Sequence, residues 1–167
     1  KKTAYIWLAF SLEPPPCYDG RGRSIAQSQL DVIRAREEEH LAPLFVLLNG
    51  KIIFLYWCIV GDDFHLTKWA FSEFPIDLEG LSKKHGDELG QIAEELHAAM
   101  REAISFKLNA GKRVGSFNLA KCRSVTDKAD SLIAQYMGFA DSLEAIQTAY
   151  ARMVKTDFGG EDGGDDL

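Results

Sequence analysis

Apolar residues along this chain fall into blocks of different period, and each period predicts an element. Residues 41–48 read Leu-Ala-Pro-Leu-Phe-Val-Leu-Leu, residues 51–60 are again almost wholly apolar, and Asn49-Gly50 lies between them. An Asn-Gly pair is a good helix stop, because both residues tolerate the left-handed backbone that closes a last turn. The Ile, Phe, Tyr and Trp of the second block suit a buried strand as well as a helix; we favour two successive helices. From residue 78 to residue 108, Leu89, Ile92, Ala93, Leu96, Ala99, Met100, Ala103, Ile104 and Leu108 recur at three-to-four spacing, which predicts one long amphipathic helix. The same spacing predicts a helix over 127–136 closed by Gly138, and another through Leu143, Ile146, Ala149, Tyr150 and Met153.

Strand signals are shorter. Residues 3–10 are β-branched and aromatic enough for a strand, residues 25–36 and 64–69 read as extended, and residues 117–119 add a short strand. Residues 13–24, "EPPPCYDGRGRS", form a loop: three consecutive prolines remove amide donors and the glycines supply turns. The expected fold is α+β, mainly helical, with a small mixed sheet of short strands, one long amphipathic helix and two C-terminal helices. Residues 1–156 are expected to form a single domain, which a chain of 167 residues is long enough to fill with a core. Residues 157–167, rich in Gly and Asp, are expected to be a disordered acidic tail.

Charge changes the picture. The formal net charge is −6, which speaks against a polyanionic partner, yet five of the carboxylates lie in the tail. Residues 101–123 instead carry six basic residues, Arg101, Lys107, Lys112, Arg113, Lys121 and Arg123, against Glu102 alone. One face of the domain is therefore expected to be basic although the chain is acidic. The longest apolar run, 52–60, is too short to span a bilayer. Cys17, Cys58 and Cys122 are odd in number and widely spaced, which fits neither a disulfide framework nor a zinc site built on paired cysteines. A cytoplasmic location is expected.

Catalytic signatures are not legible. "GKRVGSF" carries glycines at 111 and 115, but it follows a helix instead of opening one, so it does not read as a phosphate-binding loop. Glu94-Glu95 reads as a solvated helix face, and His40, His65, His85 and His97 are isolated along the chain. What remains is a constellation of basic and polar residues suited to duplex DNA: Lys112, Arg113, Lys121 and Arg123 to neutralise phosphates, and His65, Thr67 and Lys68 to meet base edges.

Read in order, four stretches resemble one family. They are "EPPPCYDGRGRSIAQSQLDVI", "LAPLFVLLNGKIIFLYWCIVGDDFHLTKWAFSEFPI", "GKRVGSFNLAKCRSVTDKADSLIAQYMGF" and "YARMVKTDF", together spanning about residues 5–158. The chain is similar to the C-terminal target-recognition part of adenine-specific DNA methyltransferases of type II restriction-modification systems, including fused restriction-methylase proteins. The resemblance implies a division of labour. A separate N-terminal domain binds S-adenosylmethionine and carries an Asn/Asp-Pro-Pro-Tyr/Phe motif beside the flipped adenine, and the C-terminal part grips double-stranded DNA. In this chain "EPPPCY" has Glu13 where the family has Asn or Asp and lacks the aromatic in place, so catalysis is not carried over to it. The expectation is a DNA-binding domain, not an enzyme by itself, working in cis with the methyltransferase domain and away from membranes. The competing expectation is a protein-interaction module that docks another domain or subunit.

Overall fold

The computed structural model describes residues 8–27, 30–61 and 68–154. Its centre is an elbow. Helix α1 (Leu41–Leu48) follows a 3-10 turn over Glu38–His40, helix α2 (Lys51–Val60) follows directly, and the two are bent by 75° at Asn49-Gly50. Pro43 sits in the first turn of α1, where an amide donor has no helical partner in any case.

The elbow is held by polar groups from distant parts of the chain. Asn49, fully buried, accepts from the Phe10 amide at 2.9 Å and donates from its side-chain amide to the Phe10 and Phe45 carbonyls. The first amides of α2, those of Lys51 and Ile52, donate to the carboxylate of Asp130 at 2.8 and 3.5 Å. A β-carbon at Gly50 would meet the Asp130 Oδ1 at 2.3 Å, so glycine is what lets that carboxylate reach the helix end. Burial pushes the Asp130 carboxyl up from 3.8 to about 6, and the two amides offset only part of that rise.

The long helical region is α4 (Leu78–Glu102), started by Asp77, whose carboxylate accepts from the Gly80 amide at 3.0 Å. It is not the one continuous helix expected, because at His85 the backbone leaves helical geometry (φ −133°, ψ 16°) and the region kinks there. Its buried stripe, Leu81, Leu89, Ile92, Ala93, Leu96 and Met100, packs against α1 and against helix α5 (Arg123–Met137). Gly138 ends α5 with a φ of 81°, the left-handed closure its position predicts. Helix α6 (Leu143–Met153) brings the buried Tyr150 onto a second apolar cluster with Leu8, Phe54, Trp57, Ala70 and Val154. No single helix among the described residues is long and apolar enough to cross a membrane.

The structure is α+β and mainly helical, as expected, but several sequence-based boundaries need correction. The predicted helix over 78–108 stops at Glu102, and Ile104–Asn109 is strand β2. Strand β3 covers Lys112–Phe117, not 117–119: Asn118 caps the next 3-10 turn by accepting from the Ala120 amide, and Leu119 lies within that turn. The sheet is antiparallel throughout, in the order β1-β3-β2, with β1 only Cys17–Tyr18, inside the expected loop. Of the strand predicted over 3–10, residues 3–7 lie outside the described residues, and Leu8 to Phe10 join no ladder. The described parts of 25–36 form no strand. Within 64–69, Lys68 and Trp69 open a short helix, α3 (Lys68–Ser72), and the rest lies outside the described residues. So does the acidic tail at 157–167.

Candidate nucleic-acid interface

The β2–β3 hairpin turns through Ala110-Gly111, with φ of 48° and 75°. Two positive φ values at the centre of a two-residue loop give the turn whose twist matches that of the flanking strands. For Ala110 this backbone costs on the order of 1 kcal/mol, which the ladder on either side must offset. Six opposed pairs run from Ile104 opposite Phe117 to Asn109 opposite Lys112.

Register sorts the side chains onto two faces, because opposed residues share a face and successive residues alternate. Tyr18, Phe106, Leu108 and Arg113 lie on one face; Ser105, Lys107, Asn109, Lys112 and Ser116 lie on the other. On the first face the Arg113 guanidinium sits 4.3 Å above the Phe106 ring, and the Tyr18 ring is 6.0 Å from the same ring. Leu108 is 81% exposed and Phe106 37%, so this aromatic and cationic surface is open.

The loop that follows β1 adds charge to the same end. Asp19 Oδ1 accepts from the amides of Arg21 and Arg23, each at 2.9 Å, and its Oδ2 accepts from the Arg23 guanidinium at 2.8 Å. The Arg23 amide and then its side chain hold the Asp19 carboxyl below its usual value. A β-carbon at Gly20 would stand 3.3 Å from the Gly111 carbonyl oxygen, so this turn lies beside the hairpin turn. Gly115 donates its amide to the Pro16 carbonyl at 2.8 Å, and a β-carbon there would come within 2.5 Å of that oxygen. Gln27 fastens the crossing by donating to the carbonyls of Pro15 and Gly115 at 3.1 and 2.9 Å.

Segments 17–25 and 104–117 thus bring together Arg21, Arg23, Lys107, Lys112 and Arg113 with a single carboxylate, Asp19, which is committed to Arg23. The sequence-predicted set divides accordingly. Lys112 and Arg113 lie together at the hairpin end. Lys121 is exposed but follows the other end of β3, and from Arg113 to Phe117 alone the strand runs roughly 13 Å. Arg123 turns inward: its guanidinium donates to the Asn49 carbonyl at 3.3 Å and to the Tyr150 hydroxyl, and lies 4.8 Å over the Tyr150 ring. It holds the elbow, with Lys51 paired to Asp127 nearby. Lys68 pairs with Asp31 at 2.9 Å, and His65 and Thr67 lie outside the described residues.

Arg21 and Arg23 were not among the residues singled out from sequence. Their own segment, "DGRGR", reads as a turn, and only the long-range pairing of Tyr18 with Arg113 brings them to the hairpin. Among the described residues no group of three or more His, Cys, Asp or Glu is arranged to hold a metal ion. Comparison with protein-family models, curated protein sequences and solved structures gives no match to this chain.

Proposed function

We propose that this chain is the DNA-gripping target-recognition part of an adenine-specific DNA methyltransferase of a type II restriction-modification system. In this reading it holds duplex DNA for a separate S-adenosylmethionine-dependent domain in the same cytoplasmic protein. The observation that carries the reading is the concentration of Arg21, Lys107, Lys112 and Arg113 at one end of the small sheet, with the nearby carboxylate Asp19 already paired. The resemblance of the four sequence stretches supports the same class. Cations gathered on one end of a protein displace counterions from a duplex, so affinity falls linearly with salt on logarithmic axes, by about 0.9 in slope for each phosphate neutralised.

The test is a titration of duplex DNA with the whole chain over a range of salt. Wild type is expected to bind at low ionic strength, and replacing both Lys112 and Arg113 with alanine is expected to lower the slope by about 2. A wild-type chain that shows no salt-sensitive duplex binding would sink the reading.

One observation favours a docking role as a second reading. Leu12, Leu30, Val32 and Leu41 remain 44–58% exposed beside a cleft of about 430 Å³ between residues 9–14, residues 30–35 and α1. Apolar surface of this kind marks a site where another chain or domain lands. Self-association in sedimentation, with no response to DNA, would favour it over the DNA reading.

A further inference from the structure

The two faces of the β2–β3 ribbon differ in chemistry, and the difference assigns work to each. Lys107 and Lys112 share one face with the half-buried Val114, the buried Cys17 and the exposed Ser105, Asn109 and Ser116, so the groups this face shows to solvent are mainly short or flexible and polar. Such side chains meet phosphate oxygens from many angles but carry little geometric information. The opposite face carries Arg113 fixed by stacking on Phe106 at 4.3 Å, with Tyr18 against the same ring and Leu108 open to solvent. Stacking of a guanidinium on a ring restricts its long side chain to few orientations, and its planar fork matches the two acceptors, O6 and N7, that guanine shows in the major groove. Among the described residues β2 is an open edge of the sheet, β1 pairing with β3 on the other side at Val114 and Arg113, so it is the β2 edge of the hairpin that would lead into that groove.

We propose that the β2–β3 hairpin enters the major groove of duplex DNA, with Arg113 as a base-reading residue for guanine, Phe106 as the positioning residue that aims it, and Lys107 and Lys112 as phosphate contacts. This rests on the DNA-binding reading above and deepens it by naming the element, the groove and the base. Groove entry explains why so projecting a hairpin ends in Leu108 and Arg113 on one face: an apolar side chain beside the fork suits the methyl group of thymine.

The experiment is selection of tight-binding sequences from a pool of short duplexes with a randomised centre, using the whole chain. Binding strength and salt slope are then measured on the enriched duplex and on single-guanine replacements of it. Wild type is expected to enrich a site with a fixed guanine whose replacement weakens binding about 5- to 150-fold. Arg113→Lys keeps the charge but not the fork, so it is expected to keep the salt slope and lose that discrimination. Phe106→Ala is expected to lose most of it while Arg113 stays charged. Lys107→Ala and Lys112→Ala are expected to keep the site and each lower the slope by about 1.

Retention of the guanine preference in Arg113→Lys and Arg113→Ala, both folded by circular dichroism, would overturn the assignment while leaving DNA binding intact. Salt-sensitive binding without any enriched site, or a preference for single strands that stack on Phe106 and Tyr18, would overturn it as well. A chain that binds no duplex at all refutes the function itself, and that outcome is distinct from the others.

Discussion

Replacing Asp130 with asparagine is expected to change not only the stability of the protein but the way stability varies with pH. The carboxyl is almost wholly buried and accepts from the Lys51 and Ile52 amides that open α2. Its value rises from 3.8 to about 6 because burial penalises the charged form, with the amides lowering it, Asp127 raising it and Lys51 lowering it again. At roughly 1.4 kcal/mol for each tenfold change in proton affinity, this makes the folded state bind that proton about 3 kcal/mol more tightly than the unfolded chain. Between pH 3.8 and about 6 the unfolded carboxyl is ionised while the folded one keeps its proton. Stability from this group is therefore complete below pH 3.8 and is lost as pH rises through about 6. Asparagine does not titrate, so the stability of wild type minus that of Asp130→Asn should fall by about 2 kcal/mol from pH 4 to pH 7, most of the full span of about 3 kcal/mol. Asp130→Ala leaves two helix-opening amides without an acceptor and is expected to cost about 2–4 kcal/mol at pH 7. Urea unfolding followed by far-ultraviolet circular dichroism at each pH gives these differences by linear extrapolation. A difference between wild type and Asp130→Asn that stays flat within about 0.5 kcal/mol, the spread of neutral surface changes, would refute the reasoning.

Other expectations separate support from contact. Arg123→Ala removes donors to the Asn49 carbonyl and to Tyr150, so it is expected to destabilise by about 2 kcal/mol in urea unfolding and to leave the salt slope of DNA binding unchanged. Gly115→Ala forces a β-carbon to within 2.5 Å of the Pro16 carbonyl oxygen. It is expected to cost about 1–3 kcal/mol in thermal or urea unfolding and to weaken duplex binding by displacing Tyr18 and the Arg21 turn from the hairpin.

Legibility in sequence followed the range of the interactions involved. The position of the break at Asn49-Gly50, the end of α5 at Gly138 and the existence of α6 carry local marks and are legible from them. What holds the elbow, by contrast, lies far off in the chain, at Phe10, Arg123 and Asp130, and neither Asn49 nor Gly50 takes the left-handed backbone the pair suggests. The hairpin was misread because Met100, Ile104 and Leu108 continue the spacing of α4, while Ile104, Phe106 and Leu108 also alternate with polar residues. Periodicity alone does not choose between these patterns. What decides is pairing with β3, and the local mark of that pairing is Ala110-Gly111, where two positive φ values close a strand-to-strand turn. The gathering of Arg21 with Arg113 and the inward turn of Arg123 toward Tyr150 join residues far apart in the chain. No window of sequence contains both partners, so hydrophobic spacing carried no sign of either.

The carboxylate that completes α2 belongs to a residue synthesised much later than the amides it satisfies. Lys51 and Asp130 are 79 positions apart, so at common elongation rates roughly 4 to 16 s separate their appearance on the ribosome. During that interval the nascent α2 has its length and its apolar residues but an open beginning. Maturation of the elbow is thus coupled to the arrival of α5, and a nascent chain halted before residue 130 will present the apolar surface of α2 to chaperones instead of to its own core.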